Sequence, residues 1–280
     1  MSQIISNLKP TLDIFSEVIG SDDSISPPLT HTLTTAIDTV NKPATDFFDP
    51  VLQVDLDPDA FIEEHPLTPA IQQKALTAAD FAVDWQQRFD ETTLDRLVSE
   101  GYVVLDEVFS TSAILALQTE SGFIYYRDAM VADGLLVKEI RGDRIRWITD
   151  HFIAGAYYLE QINDLAQYFN RTLYAGIRHS EAHYACYPPG FGYQWHTDNP
   201  NGRNERVISA VFYLNDAWTE PDGGALAVVD NAGNEQHILP KANRLVVFDS
   251  DLRHQVEIAH RQRYSIATWL RRDDAVALVR

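Results

Sequence analysis

The chain predicts a mainly β protein with supporting helices, an α+β arrangement whose core is a sandwich or jelly roll. Three observations carry this. Apolar residues recur at period two after about residue 180, turn sequences cut that region into short strands, and helix-period stripes fill the region before it.

Residues 1–66 form an acidic, weakly patterned N-terminal extension rich in Asp, Thr and Pro, as in Asp22-Asp23-Ser24 and Pro27-Pro28. Asp55, Asp57 and Asp59 alternate with other residues, but the glycine and closing Glu of a calcium loop are missing, so a solvated loop is the better reading. Residues 67–178 form a helical support region. Thr68-Pro69 is a helix-start signal, and Ile71, Ala75, Ala78, Ala82, Trp85 and Phe89 then make one apolar stripe. A short strand follows at Tyr102-Val103-Val104-Leu105. Ser110 or Ser112 caps a helix running through Ile114, Leu115 and Leu117 towards Met130, and another helix carries Ile162, Leu165, Phe169 and Leu173 on one face. Residues 179–272 form the β core, with strands at 182–187, 192–197, 206–214, 224–229, 235–239, 243–248, 254–258 and 262–271. Pro188-Pro189-Gly190, Asn201-Gly202, Asp222-Gly223-Gly224 and Asn231-Ala232-Gly233 punctuate them. Residues 273–280 form a tail.

Charge narrows the partners. Acids outnumber bases 41 to 22, for a formal charge of -19. Residues 1–100 hold 18 acids and 5 bases, so most of the excess sits there. A nucleic acid is excluded as a first expectation, because binding one needs a basic footprint. No apolar run approaches the roughly 20 residues of a membrane helix. The single Cys186 leaves no disulfide and no Cys-rich zinc site. The start has no basic region followed by an apolar run, so no secretory signal is read and a cytoplasmic location is expected. Without a secretory route, Asn170-Arg171-Thr172 reads as part of a helix rather than a glycosylation site.

The chemistry-bearing segment is Tyr193-Gln194-Trp195-His196-Thr197-Asp198. Residues two apart on a strand share a face, so His196 and Asp198 offer an imidazole and a carboxylate to one ion. His254, opening a later strand, is the best candidate for a third ligand. Two His and one carboxylate with open positions opposite is the arrangement of non-haem iron(II) oxygenases. Arg263 follows nine residues after His254 and suits a carboxylate held by two parallel hydrogen bonds. Singly, each has a plainer reading: His254 as a strand-end histidine bonded to backbone, Arg263 as a surface ion pair.

Further runs accompany this set, in order along the chain. They are Arg141-Gly142-Asp143 with Trp147-Ile148, Ala185-Cys186-Tyr187-Pro188 and His196-Thr197-Asp198-Asn199-Pro200-Asn201-Gly202. They continue with Tyr213-Leu214-Asn215, Gly223-Gly224-Ala225-Leu226, Pro240-Lys241, Arg244-Leu245 and Arg263-Tyr264-Ser265-Ile266 before Trp269. In these runs the stretch from about Arg141 to Arg272 resembles the prolyl hydroxylases of the 2-oxoglutarate oxygenase superfamily, in particular the oxygen-sensing prolyl hydroxylases of animals and their bacterial relatives. The resemblance implies a double-stranded β-helix, a jelly-roll-like core, and a requirement for Fe(2+), 2-oxoglutarate and O2, with ascorbate as a stimulant. By position it implies His196, Asp198 and His254 as iron ligands and Arg263 as the clamp on 2-oxoglutarate. It places Tyr187 and Tyr213 in the co-substrate pocket, where barrel core is the plainer reading of both. It places Arg206 and Trp269 at the mouth near a target proline, and Arg141, Asp143 and Trp147 on a substrate-loop hairpin near 141–148. An ordinary turn is the plainer reading of Arg141-Gly142-Asp143.

The activity implied is prolyl 4-hydroxylation of a proline in a flexible segment of a protein substrate, yielding hydroxyproline, succinate and CO2. Bacterial relatives act on a Tu-type elongation factor, which makes that protein a candidate target. Asp198 separates the chain from halogenating relatives, which lack this carboxylate. Arg263 separates it from collagen-type prolyl hydroxylases, which typically use a lysine there. The alternatives keep the chemistry on a small molecule or a non-proline residue, or make the chain a non-catalytic metal-binding barrel. Two departures stand out: the Tyr187–Tyr193 segment is one residue shorter than the animal pattern, and residues 1–85 have no counterpart in the compact bacterial members.

Overall fold

The computed structural model describes residues 75–129, 137, 140–199 and 205–273. The expectations for residues 1–66, the Thr68-Pro69 helix start and most of the C-terminal tail lie outside them. The chain runs through a 3-10 turn (Ala78–Phe81), α1 (Trp85–Arg88), α2 (Glu91–Glu100), β1 (Tyr102–Leu105), α3 (Thr111–Phe123), β2 (Arg127–Asp128), β3 (Arg144–Trp147) and α4 (Ile153–Thr172). The core strands follow: β4 (His179–Tyr187), β5 (Tyr193–His196), β6 (Arg206–Tyr213), β7 (Leu226–Val229), β8 (Glu235–Ile238), β9 (Leu245–Asp249), β10 (His254–Val256) and β11 (Arg263–Arg271).

Among the described residues these strands form two antiparallel sheets, ordered β1-β9-β6-β11-β4-β3-β2 and β5-β10-β7-β8. The large sheet buries apolar residues on both faces, and its period-two sequences sort residues between them. Ala210, Phe212, Leu245, Val247, Ile266 and Leu270 belong to one buried cluster with the helices, against Phe81, Trp85, Tyr158, Ile162, Leu165 and Phe169. Alternate residues Tyr213, Val246 and Phe248 pack on Leu226, Val228 and Ile238 of the small sheet. This is the jelly-roll core, backed on one side by helices.

Local chemistry sets the helix ends. Asp90 caps α2 by accepting from the Thr93 N–H at 2.8 Å, and Gly101 ends it in the left-handed region at φ 86°. Ser110, not Ser112, caps α3 through the Ala113 N–H. That helix stops at Phe123, well before Met130, and the Tyr126 hydroxyl bonds Ser121 at 2.7 Å as the chain turns into β2. The first turn of α4 has no cap of its own. Its Ala154 and Gly155 N–H groups donate to Glu120 of α3 at 3.0 and 2.8 Å, and the Tyr184 hydroxyl donates to the same carboxylate.

The expected stripe ending at Phe89 needs correction. In its described part the helix is broken at Ala82–Asp84, where the Asp84 side chain caps a new turn by accepting from the Gln87 N–H at 3.1 Å. Such local side-chain bonds compete with helix continuation. Ala75, Ala78 and Ala82 are exposed, while Phe81, Trp85 and Phe89 are buried. The Trp85 indole N–H fixes this segment by donating to the Gln161 carbonyl of α4 at 2.9 Å.

Phe212 is fully buried between Phe109 (ring centroids 5.2 Å apart) and Tyr158 (5.7 Å). Phe212→Ala is expected to cost about 3–5 kcal/mol of stability, read from urea unfolding, without altering the cavity on the opposite face of β6.

Candidate metal and co-substrate site

The small sheet sets the register of the site. β10 pairs with β5 so that His254 lies opposite His196, with ring centroids 4.2 Å apart. Asp198 sits in the turn just after β5, held by its N–H donating to the Ser250 carbonyl at 3.0 Å. Ligand atoms of His196, Asp198 and His254 all lie within 4.8 Å of one another, close enough for one ion.

The hydrogen bonds behind these side chains select their reactive atoms. Nδ1 of His196 faces the Gln194 carbonyl at 2.7 Å, and Nδ1 of His254 faces the Leu252 carbonyl at 2.9 Å. A carbonyl only accepts, so each Nδ1 carries the proton and each Nε2 keeps a lone pair. Burial, then the nearby His254, holds the His196 pKa well below its ordinary value, so the ring is neutral, the form that coordinates metal. Burial alone would raise the Asp198 pKa. The two imidazoles and the hydrogen bond from the Ser209 hydroxyl outweigh it and keep the group a carboxylate. Tyr193 stacks on His196 at 3.7 Å and Phe248 packs edge-on against His254 at 4.8 Å.

Across the same cavity, of about 970 Å³, lies Arg263, 1% exposed. Its guanidinium lies near the rings of Tyr187 and Tyr213, 5.0 and 5.1 Å from their centroids. Nε donates to the Gly224 carbonyl at 2.9 Å and Nη1 to the Ser265 hydroxyl at 3.2 Å. Among the described residues no carboxylate forms an ion pair with it, and the buried Tyr213 hydroxyl has no hydrogen-bond partner. Burial pushes the Tyr187 and Tyr213 hydroxyls above the ordinary tyrosine pKa, so both remain protonated donors. Gly224 has φ +65°, and a Cβ there would stand 3.0 Å from the Arg263 Cδ, so glycine is required where this backbone meets the arginine.

The mouth gathers the remaining predicted residues. Arg206 lies over the face of Trp269 at 4.0 Å, and Trp147 of β3 stands 6.1 Å from Trp269. Arg141 pairs with the buried Asp143 through two bonds of 2.8 and 3.2 Å and lies over the Tyr193 ring at 5.1 Å. Gly142 between them donates to the Gly192 carbonyl, and any Cβ would meet Phe191 at 2.6 Å. The residues predicted as metal ligands, co-substrate contacts and substrate contacts therefore border this cavity or, for Tyr213, flank the arginine within it.

Sequence reasoning missed His183, Ser209 and Glu181, and gave no role to Ser265, which it quoted only as part of a run. His183 lies between Trp147 and Trp269, with ring centroids at 5.1 and 5.2 Å, and its Nε2 is buried without a partner. Burial holds its pKa down to about 4. A lone histidine or serine on an alternating strand carries no spacing signal. Only the register, which sets His183 opposite Trp147 and Ala267, exposes its place.

Two clustered histidines and a carboxylate, facing a buried arginine in a jelly roll, define a metal-dependent oxygenase class of site. The family model of the 2OG-Fe(II) oxygenase superfamily matches residues 182–271. Human Egl nine homolog 1 is 36% identical over 142 residues, 47% of this chain and 33% of that protein. Mouse prolyl hydroxylase EGLN3 is 34% identical over 160 residues, 51% of this chain and 65% of that protein. The chain thus spans about a third to two thirds of the length of these curated relatives. A Pseudomonas putida prolyl-4-hydroxylase structure aligns at TM-score 0.60 and 32% identity, covering 65% of this chain and 98% of that one. A Trichoplax adhaerens prolyl hydroxylase, solved with a hypoxia inducible factor peptide fragment, aligns at TM-score 0.62 and 28% identity over 69% of this chain and 94% of that one. The chain belongs to the 2OG-Fe(II) oxygenase superfamily and, within it, to the prolyl hydroxylases.

That family implies Fe(II), 2-oxoglutarate and O2, and the residues present fit them. The triad offers two neutral imidazoles and a carboxylate, and the unpaired Arg263 and orphaned Tyr213 hydroxyl are donors suited to a carboxylate. Manganese(II), a redox-quiet stand-in, is expected to stabilise the protein by about 2.7 kcal/mol at a hundredfold excess over its Kd. Thermal denaturation with His254→Ala should show no such gain. A second expectation concerns His183. The unfolded chain takes up a proton near pH 6.5 while the folded imidazole resists until about pH 4, so this residue's contribution falls as pH drops through that window. Urea unfolding from pH 7 to pH 4 should therefore show wild type losing roughly 3 kcal/mol more than His183→Leu.

Proposed function

We propose that this chain is an iron(II)- and 2-oxoglutarate-dependent prolyl 4-hydroxylase that acts on a proline in a flexible segment of a protein substrate, forming hydroxyproline, succinate and CO2. The observation that carries the reading is Arg263, a buried guanidinium without a carboxylate partner among the described residues, in the cavity that holds the three clustered metal donors. Burying a charge unpaired costs several kcal/mol, and the distal carboxylate of 2-oxoglutarate removes that cost.

In this reading His196, Asp198 and His254 hold the iron, with their orientation fixed by Gln194, Ser209 and Leu252. Arg263 and Tyr213 hold the far end of 2-oxoglutarate, and Tyr187 lies alongside. Bound iron, with 2-oxoglutarate and O2, supplies the oxidant that hydroxylates an unactivated C–H bond. The protein's part is orientation and exclusion of water. Trp147, Trp269 and Arg206 receive the prolyl segment. The Arg141–Asp143 pair packs the β2–β3 hairpin against Tyr193 at the cavity edge. The Trichoplax relative's peptide complex supports a protein substrate rather than a free metabolite. A Tu-type elongation factor is the target to test first, on the resemblance to bacterial prolyl hydroxylases. Ascorbate is a stimulant that keeps the metal reduced, and the cytoplasm is the location this substrate requires. Among the described residues no helix is long and apolar enough to cross a membrane.

The test is incubation with iron(II), 2-oxoglutarate and ascorbate, against the elongation factor and against lysate proteins. Mass spectrometry should find one added oxygen on a proline, with matching succinate. His196→Ala should abolish both while circular dichroism stays unchanged. Arg263→Lys, which loses the two-pronged contact, should raise the 2-oxoglutarate KM roughly 10- to 100-fold. Oxygen on another residue, or succinate only with small molecules, would move the reading to a different substrate. No succinate with any substrate would leave a metal-binding barrel.

A further inference from the structure

Behind two arginines that line the cavity, Arg206 and Arg271, stands a carboxylate that neither the triad nor the co-substrate clamp uses. Glu181 lies on β4 directly opposite Trp269 of β11, and its side chain is 16% exposed. One of its oxygens accepts from two arginines, Arg271 Nη1 at 2.6 Å and Arg206 Nη2 at 3.1 Å. Arg271 has other partners, Glu205 at 3.0 Å and Asp273 at 2.6 Å, whereas Glu181 is the one acid that Arg206 pairs with among the described residues. Pinned in this way, Arg206 lies over the Trp269 ring at 4.0 Å, and its Nη1 donates to the backbone carbonyl of Asp198 at 3.3 Å. The Arg206 backbone closes the same unit. Its N–H donates to the Asn199 side-chain oxygen at 3.2 Å, and its carbonyl accepts from the Asn199 amide at 2.8 Å.

We propose that Glu181 is a positioning residue that holds Arg206 in one rotamer, so that a single guanidinium braces both the substrate platform at Trp269 and the backbone of the metal-ligand turn at Asp198. This rests on the reading of Arg206 and Trp269 as substrate contacts for its substrate half, and on geometry alone for its metal half. Arginine has large rotamer entropy, and a partly exposed guanidinium held only by a stack and one long hydrogen bond would sample several geometries. A charge-assisted bond from a half-buried carboxylate restricts that sampling. Filling the mouth is thereby linked to the order of the Asp198 turn through a continuous set of contacts: Trp269, Arg206, the Asp198 carbonyl.

The experiment is a double-mutant cycle of Glu181→Ala and Arg206→Ala in the full chain, with Glu181→Gln as the conservative variant. Three readouts apply: Mn(II) affinity by calorimetry, amide hydrogen exchange across residues 197–199, and anisotropy of a labelled proline peptide in the presence of Mn(II) and a non-reactive 2-oxoglutarate analogue. Glu181→Ala is expected to weaken Mn(II) at least threefold, speed exchange in that turn, and weaken the peptide about tenfold. Glu181→Gln, whose amide oxygen still accepts from Arg206, should recover most of each effect. In the Arg206→Ala background Glu181→Ala should change none of the three. Additive effects in the cycle, or wild-type metal affinity and exchange in Glu181→Ala, would overturn the proposal. If the wild type binds no proline peptide, the substrate reading fails by itself, and the metal and exchange readouts still decide the role of Glu181.

Discussion

A guanidinium that cannot lose its proton, buried to 1% exposure with a carbonyl and a hydroxyl as its hydrogen-bond partners, is the constraint around which the molecule is arranged. Several elements converge to hold it. β11 supplies Arg263 and Ser265, β4 supplies Tyr187, β6 supplies Tyr213, and the turn before β7 supplies the Gly224 carbonyl. Each contact comes from a strand already fixed by the sheet, so the donors are aimed before any anion arrives. Pre-organisation of this kind spares the ordering cost that a flexible surface arginine meets on binding.

The same logic builds the metal donors. A one-residue slip between β5 and β10 would turn His254 away from His196, because side chains alternate strictly between faces. The slip is resisted from both sides of β10. Its second partner, β7, sets His254 opposite Val228 and Val256 opposite Leu226, and burial of Leu226 and Val228 against Phe248 fixes that alignment. Burial energy from an apolar layer is thereby converted into the position of polar ligands. β11 performs the equivalent conversion in the large sheet. Ile266 and Leu270 are locked into the helix-backed core, which leaves Arg263, Ser265, Ala267 and Trp269 facing the cavity.

This division explains what the sequence made legible. Strand positions from β4 to β11 follow from period two and from turn residues, both local signals, and the expected spans differ from the observed ones by a few residues at most. The clustering of His196, Asp198 and His254 was legible less from their own spacing, since each has a plainer reading alone, than from the ordered runs that accompany them. The helical front was harder. Ala75, Ala78 and Ala82 fit a stripe that the chain does not use, since alanine is at home on either face of a helix, and the local Asp84 cap that breaks the stripe is reinforced by Trp85 docking on α4. His183 and Glu181 carry no local signature. Their roles arise from cross-strand neighbours, namely Trp147, Trp269 and Arg271, far away in the chain.

Electrostatics adds one further step. The chain carries a formal charge of -19, but most of the excess lies in residues 1–100, and the cavity is lined by arginines. Short-range donors hold an anion in the cavity, and several of the arginines that line it are already paired with acids. Arg141, Arg206 and Arg271 are matched by Asp143, Glu181, Glu205 and Asp273, which converts them from charges into fixed struts. Arg263 keeps its charge uncompensated by any described carboxylate, deep in the wall and beside the orphaned Tyr213 hydroxyl. Deep burial combined with an uncompensated charge sets Arg263 apart from those three and makes it the favoured point for a carboxylate inside the cavity.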